Sequence, residues 1–273
     1  MKVVQFYQNG NLQVGLVKGD LIIPFKLLGD IVSFIILSEP PPVDDSKAIS
    51  LKHVKLAPPV INPSKIIAIG LNYKGHIRES KGKLPKFPLI FSKFPNSIIG
   101  HEDFIKWDKN ITKKVDYEAE LAVVIGKRAK NIPEEKVLDY VFGYTCANDV
   151  SARDLQFGDG QWTRGKSLDT FCPIGPWIVT KEELNPNNLR IRCYLNGNIM
   201  QDSNTAQMIF DVSSLISFIS KHFTLYPGDL ILTGTPEGVG AFRKPSVWLK
   251  NGDKVEVEIE GIGRLSNTCR ELE

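Results

Sequence analysis

The stretch Tyr117-Glu118-Ala119-Glu120-Leu121-Ala122-Val123-Val124-Ile125-Gly126 decides how this chain is read. From Leu121 onward it is continuously apolar and ends on glycine, the pattern of a strand buried on both faces. Two glutamates open it at i and i+2, so both carboxylates leave one face, roughly 7 Å apart along the strand. A buried carboxylate must be protonated, paired with a cation or bound to a metal, because desolvating the bare anion is costly. One divalent cation would satisfy both, and a third acid nearby would complete the set. Two other readings fit the same residues. The glutamates could be solvated at a strand mouth or paired with Lys113 or Lys114. They could also form an acid/base pair of the glycosidase kind, which needs carboxyls about 5–9 Å apart.

Working outward, Val141–Ala147 is strand-like and ends at Asn148-Asp149, ahead of a helix that could begin at Ser151. Asp149 is thus an acid at a strand end, though a helix-capping aspartate would look the same. Upstream, Lys65–Gly70 reads as a buried strand that runs into Leu71-Asn72-Tyr73-Lys74-Gly75-His76-Ile77-Arg78-Glu79. On a helical turn His76 and Glu79 share a face, and a carboxylate beside a histidine orients the ring for general-base work. A surface ion pair has the same spacing. Pro88–Lys93 is a further strand with Lys93 at its end, and the polar loop 157–170 carries Trp162, Lys166 and Asp169. The glycine-rich loop 233–240 lacks the lysine of a phosphate-binding loop and precedes no clear helix, which excludes a nucleotide reading.

Bulk properties narrow the class. The 273 residues are 42% hydrophobic and 24% charged, an ordinary globular composition. The net charge is +3 with basic residues scattered, and Lys81–Lys86 is too short a patch to imply nucleic acid. The four cysteines are far apart with no C-x-x-C pair, so reduced core residues are expected. The first ten residues lack the apolar core of a signal peptide, and no apolar run approaches the ~20 residues of a membrane span. A soluble, cytoplasmic protein without membrane or nucleic-acid partners is the expectation.

Short β-like segments at 3–6, 14–17 and 21–23 and the stiff connection Glu39–Ser46 set residues 1–60 apart as a small N-terminal domain, leaving 61–273 as the larger one. Asn131–Glu135 supplies a helix start for a segment to about Tyr140. Asn196-Gly197 marks a hairpin, and Asp211 caps a helix whose apolar face is Val212, Leu215, Ile216 and Ile219.

Taken together, GLNYKGHIRE (70–79), YEAELAVVIG (117–126), GYTCANDVSARDLQ (143–156), GKSLDTFCPIGPW (165–177), QDSNT (201–205), LYPGDLILTGTPEGVG (225–240) and GDKVEVEIEGIGRLSN (252–267) resemble, in order, the fumarylacetoacetate hydrolase family. The likeness is to its acylpyruvate hydrolase and 5-carboxymethyl-2-hydroxymuconate isomerase branch, and residues 1–60 match only loosely. It implies an α+β, mainly β fold, with a mixed, rolled β-sheet in the C-terminal domain, a small N-terminal β-rich domain, and pairing into a homodimer. It implies a metal held by Glu118, Glu120 and Asp149, generally magnesium, manganese or calcium. Three carboxylates without cysteine or histidine are a hard oxygen set that suits those ions. It further implies a catalytic lysine at Lys166, a mobile lid dyad at His76 and Glu79, and substrate-binding positions at Lys93, Arg153, Gln156 and Thr235. The activity implied is divalent-metal-dependent hydrolysis of a C–C bond in an acylpyruvate-type 2-oxoacid through a metal-bound enolate. Oxaloacetate decarboxylation, 2-oxo-enoic acid hydration or isomerisation, and 2-keto-3-deoxy sugar acid dehydration would use the same platform.

Overall fold

The computed structural model describes residues 1–272. A 12-stranded sheet organises the chain. Its main path uses β1 (Lys2–Gln8), β2 (Asn11–Lys18), β3 (Leu21–Pro24), β4 (Ile49–Ser50), β5 (Ile66–Gly70), β6 (Leu89–Lys93), β7 (Ala119–Ile125), β8 (Val141–Asn148), β9 (Cys172–Thr180) and β10 (Leu230–Leu232). Their spatial order is β4-β3-β2-β1-β9-β8-β7-β10-β5-β6. Every neighbouring pair on this path is antiparallel except β10 and β5, which run parallel with Ile231 opposite Ile67, so the sheet is mixed. The first sixty residues form a β-lobe that continues this sheet, because β1 pairs with β9 at Val3 opposite Ile178.

Strand β7 lies inside the sheet, and all seven of its residues are buried. Its side chains alternate between two cores. Leu121, Val123 and Ile125 join the core shared with helix α4 (Val212–His222) and with strands Arg190–Leu195 and Lys254–Ile259 of a second, five-stranded sheet. Ala122 and Val124 point the other way, into a core with Val3, Phe34, Leu230 and Leu232. Fully burying each such branched side chain contributes about 1.5–3 kcal/mol, which explains why the run carries no polar residue after Glu120. By the same alternation, Glu120 leaves the strand on the Ala122 and Val124 face.

Local expectations are met at several points. Asp211 Oδ1 accepts from Ser214 N at 2.8 Å, and Val212, Leu215, Ile216 and Ile219 are buried. Asn196 and Gly197 take φ of 51° and 81° between paired strands Arg190–Leu195 and Asn198–Asn204, as a tight hairpin requires. The helix expected to end near Tyr140 is instead a 3-10 segment, Glu134–Tyr140. Only Val137 is buried there, too little apolar face to drive a full α-helix. No helix among the described residues is long and apolar enough to cross a membrane.

Candidate active site

Two adjacent strands deliver the acids. Glu118 precedes β7, Glu120 is its second residue, and Asp149 follows the end of β8. The junction is held by its own backbone: Asp149 N donates to Glu118 O at 2.9 Å, and Glu118 N donates to Asn148 Oδ1 at 2.9 Å. Carboxylate oxygens of Glu118, Glu120 and Asp149 lie within 4.8 Å of one another, and all three residues are buried. Neither Lys113 nor Lys114 pairs with them. The partners are Lys166, whose Nζ donates to Glu118 Oε2 at 2.8 Å and Asp149 Oδ2 at 2.6 Å, and Arg153, whose Nη1 meets Glu118 Oε1 at 2.7 Å. Lys93 Nζ binds Asp149 Oδ1 at 2.7 Å.

The three carboxylates are not equivalent. Burial opposes ionisation of Glu118, but Lys166 and Arg153 together hold its carboxyl well below the ordinary value. Glu120 has a single donor, Gly234 N at 2.7 Å, and no salt-bridge cation among the described residues. Burial first, and then the Asp149 and Glu118 charges, push its carboxyl well above the ordinary range. A buried acid with spare lone pairs beside two anions fits a divalent cation, and the all-oxygen donor set fits magnesium, manganese or calcium.

A histidine faces this cluster from helix α1 (Lys74–Ser80). The helix has Tyr73 as its N-cap, three positions beyond the end of β5, and ends where Lys81 takes φ 53°. His76 Nδ1 lies 2.7 Å from Glu79 Oε1, which leaves Nε2 for the adjoining cavity that His76 lines. Glu79 Oε2 in turn accepts from Gly238 N at 2.8 Å, fastening the helix to the glycine-rich loop. Gly75 allows the close approach, since a Cβ there would sit about 2 Å from the Glu237 carboxylate.

The cavity, about 300 Å³, has Glu118, Arg153, Gln156, Lys166 and Thr235 on its polar side. Helices α2 (Arg153–Asp159) and α3 (Thr163–Lys166) place the first and last of the cationic groups. Arg153 gives Nη1 to Gln156 Oε1 at 2.9 Å, while its buried Nη2 has no hydrogen-bond partner among the described residues. Gln201 Nε2 donates to Thr235 Oγ1 at 2.8 Å, so the threonine keeps its own proton to give. The rest of the lining is largely apolar, with Leu71, Phe91, Phe157, Trp162 and Phe242. Nine of the ten expected site residues thus gather at the cavity or directly beneath it. Lys93 is the exception, buried behind Asp149 with Val150 O and Lys166 O as its other acceptors.

Sequence reasoning passed over Asp116, Gln201 and the aromatic lining. Asp116 lies two residues before Glu118 but ends a separate short strand, Val115–Asp116, and its partners at Gly240 and Ala241 are distant backbone groups that no local pattern marks.

Comparison with known proteins gives the family. Residues 65–270 match the family described as fumarylacetoacetate (FAA) hydrolase, C-terminal. The protein named oxaloacetate tautomerase fahd2, mitochondrial, of Xenopus laevis is 52% identical over 222 residues, covering 80% of this chain and 69% of that one. An uncharacterized protein of Methanocaldococcus jannaschii is 49% identical over 256 residues, covering 93% and 100%. Among solved structures, a fumarylacetoacetate hydrolase from Exiguobacterium antarcticum superposes with TM-score 0.91 at 38% identity over the whole of both chains. The maleylpyruvate hydrolase of a Sphingobium superposes with TM-score 0.82 at 30% identity, also over both whole chains. The chain belongs to the fumarylacetoacetate hydrolase family and is an enzyme of that family acting on a 2-oxoacid.

Proposed function

We propose that this enzyme moves a proton between C3 and the 2-oxygen of a short 2-oxodicarboxylate, oxaloacetate in the first instance, interconverting keto and enol forms. The observation that carries the reading is the His76–Glu79 pair at 2.7 Å, with the free imidazole nitrogen facing a cavity that holds the Arg153, Gln156, Lys166 and Thr235 donors beside the Glu118 carboxylate. The half-identical tautomerase relative supports the choice of substrate.

In this reading Arg153 Nη2 and the Gln156 amide bind a substrate carboxylate, and the Thr235 hydroxyl donates to a second oxygen. A divalent cation held by Glu118, Glu120 and Asp149 supplies Lewis-acid stabilisation of the enolate charge. Lys166, between Glu118 and Asp149, has its remaining N–H for the same developing oxyanion. His76 Nε2 takes the C3 proton and returns it to the 2-oxygen, breaking one C–H bond and making one O–H bond. Glu79 balances the charge the ring carries in between. Lys93 acts from behind by fixing Asp149.

A second reading is hydrolysis of an acylpyruvate, with His76 taking its proton from water. The apolar lining favours it, since a four-carbon diacid leaves that part of the cavity unfilled, and so does the likeness to the maleylpyruvate hydrolase. We carry magnesium and a homodimer into the proposal, testable by metal titration and by sedimentation. The deciding experiment follows the loss of enol absorbance of oxaloacetate beside acetylpyruvate cleavage, each with magnesium, for the wild type and His76→Gln. The reading expects enol turnover to be the faster reaction and His76→Gln to lower it by about 10²–10⁴-fold. Enol turnover indifferent to His76→Gln would sink it.

A further inference from the structure

Asp116 carries no role in the chemistry above, yet it is fully buried and four donors converge on its two oxygens. Oδ1 accepts from Tyr117 N at 2.9 Å and Gly240 N at 2.8 Å. Oδ2 accepts from Ala241 N at 2.9 Å and from Arg153 Nε at 2.9 Å. The carboxylate therefore joins a substrate-facing guanidinium to loop residues more than 120 positions away in the chain. That loop also carries Gly238, whose N–H holds Glu79, and Phe242, whose ring lies 5.9 Å from that of His76. Its approach to Asp116 is tight, for a Cβ on Gly240 would meet Oδ1 at 2.6 Å.

We propose that Asp116 is a positioning residue, setting the plane of the Arg153 guanidinium at the cavity wall, with Nη2 left unpartnered, and tying that plane to the loop on which the His76–Glu79 helix is docked. The planar fork makes this possible. Nε is fixed by Asp116 and Nη1 by Glu118 and Gln156, so the one remaining nitrogen has a single direction left. Glu118 alone would leave the fork free to swing about Nη1. Asparagine cannot replace the aspartate, because its amide nitrogen would face backbone N–H donors in one orientation and Arg153 Nε in the other.

The inference rests on Arg153 binding the substrate carboxylate. A double-mutant cycle on the magnesium-loaded enzyme separates the two, using Asp116→Asn, Arg153→Gln and the pair. It reads KM and kcat for oxaloacetate and the Kd of oxalate by calorimetry. Each single variant should raise KM and the oxalate Kd by about tenfold or more, as loss of one charge-assisted hydrogen bond does, with kcat falling less. The double variant should be no worse than Arg153→Gln. Multiplying effects would overturn the role of Asp116 while leaving Arg153 as the ligand. An Arg153→Gln variant with wild-type KM and oxalate Kd would overturn the ligand role and the inference with it. Should Asp116→Asn fail to fold, Ala241→Pro enters the same cycle, since it removes one N–H from Oδ2 and leaves both side chains. A KM rise in the wild-type background that vanishes in Arg153→Gln supports the coupling, and an equal rise in both overturns it.

Discussion

Strands β7 and β10 have a buried carboxylate at each end, and the two ends are built differently. At one end Asp229, fully buried, accepts from Ser64 Oγ, Lys65 N, Lys65 Nζ and Tyr226 N, and its lysine partner is 29% exposed. At the other, Glu120 accepts from Gly234 N alone among the described residues and sits beside two further carboxylates. Both are acids in a protein interior, and only one has its lone pairs filled. A saturated buried carboxylate ties strand β10 to the segment before β5. An unsaturated one over a cavity is where a ligand completes the structure.

Breaking the unsaturated end should have the largest effect. Glu120→Gln should lower oxaloacetate turnover by about 10³-fold, the scale of losing a principal electrostatic group. Its magnesium affinity should fall by more than the ~10–100-fold that an outer-shell partner costs. Calorimetric titration with magnesium beside the enol assay checks both, and unchanged metal affinity would remove Glu120 from the metal site. In chelator, the same variant should be as stable as the wild type or more so, since it deletes a carboxyl that burial and two neighbouring anions keep from ionising freely. Glu118→Gln should do the reverse, costing about 3 kcal/mol in urea unfolding, because buried Lys166 and Arg153 each lose one carboxylate and keep only Asp149 and Asp116.

The Asp229 end should answer in stability alone. Asp229→Ala should cost about 2–3 kcal/mol, less than a fully buried pair because Lys65 reaches solvent. Turnover per folded molecule should stay at the wild-type value. A matching loss of kcat would show that the two ends communicate along β10, and the contrast between them would fall.

That contrast also marks how far the residues could be read without the fold. The Glu118/Glu120 repeat, Asp149 at a strand end and His76 three residues before Glu79 were all legible, because each depends on local periodicity or on the end of an element. Their convergence was carried by the resemblance, since Asp149 lies 30 positions from Ala119, the β7 residue opposite its neighbour Asn148. Lys93 lay at a strand end as expected, but which way its ammonium points depends on Asp149, 56 residues on. Asp116 was invisible for the same reason: its partners at Gly240 and Ala241 are backbone groups, which every residue possesses. The join of β1 to β9 spans nearly 180 positions, so the sequence break at residue 60 gives no hint that the sheet continues through it.

The smallest effect sharpens the comparison without removing a metal ligand from the working enzyme. In the metal-free chain, burial and the neighbouring Asp149 and Glu118 charges raise the Glu120 pKa well above the ordinary 4.5 of a glutamate. Folded protein then keeps a proton that the unfolded chain releases near that pH, so this group's contribution is full below it and declines as pH rises toward the folded pKa. Glu118 works in the opposite sense. Lys166 and Arg153 outweigh burial to lower its pKa, so its contribution is present above 4.5 and is lost as pH falls below that. Thermal unfolding in chelator should therefore show Tm falling by a few degrees from about pH 5 to pH 8 in the wild type, with a flatter profile in Glu120→Gln. Magnesium should restore the wild-type Tm most at the upper end of that range, where the cation takes the place of the proton. Parallel profiles for the two proteins in chelator would mean that Glu120 is already compensated within the chain, and the two ends of the strand pair would then differ in geometry alone.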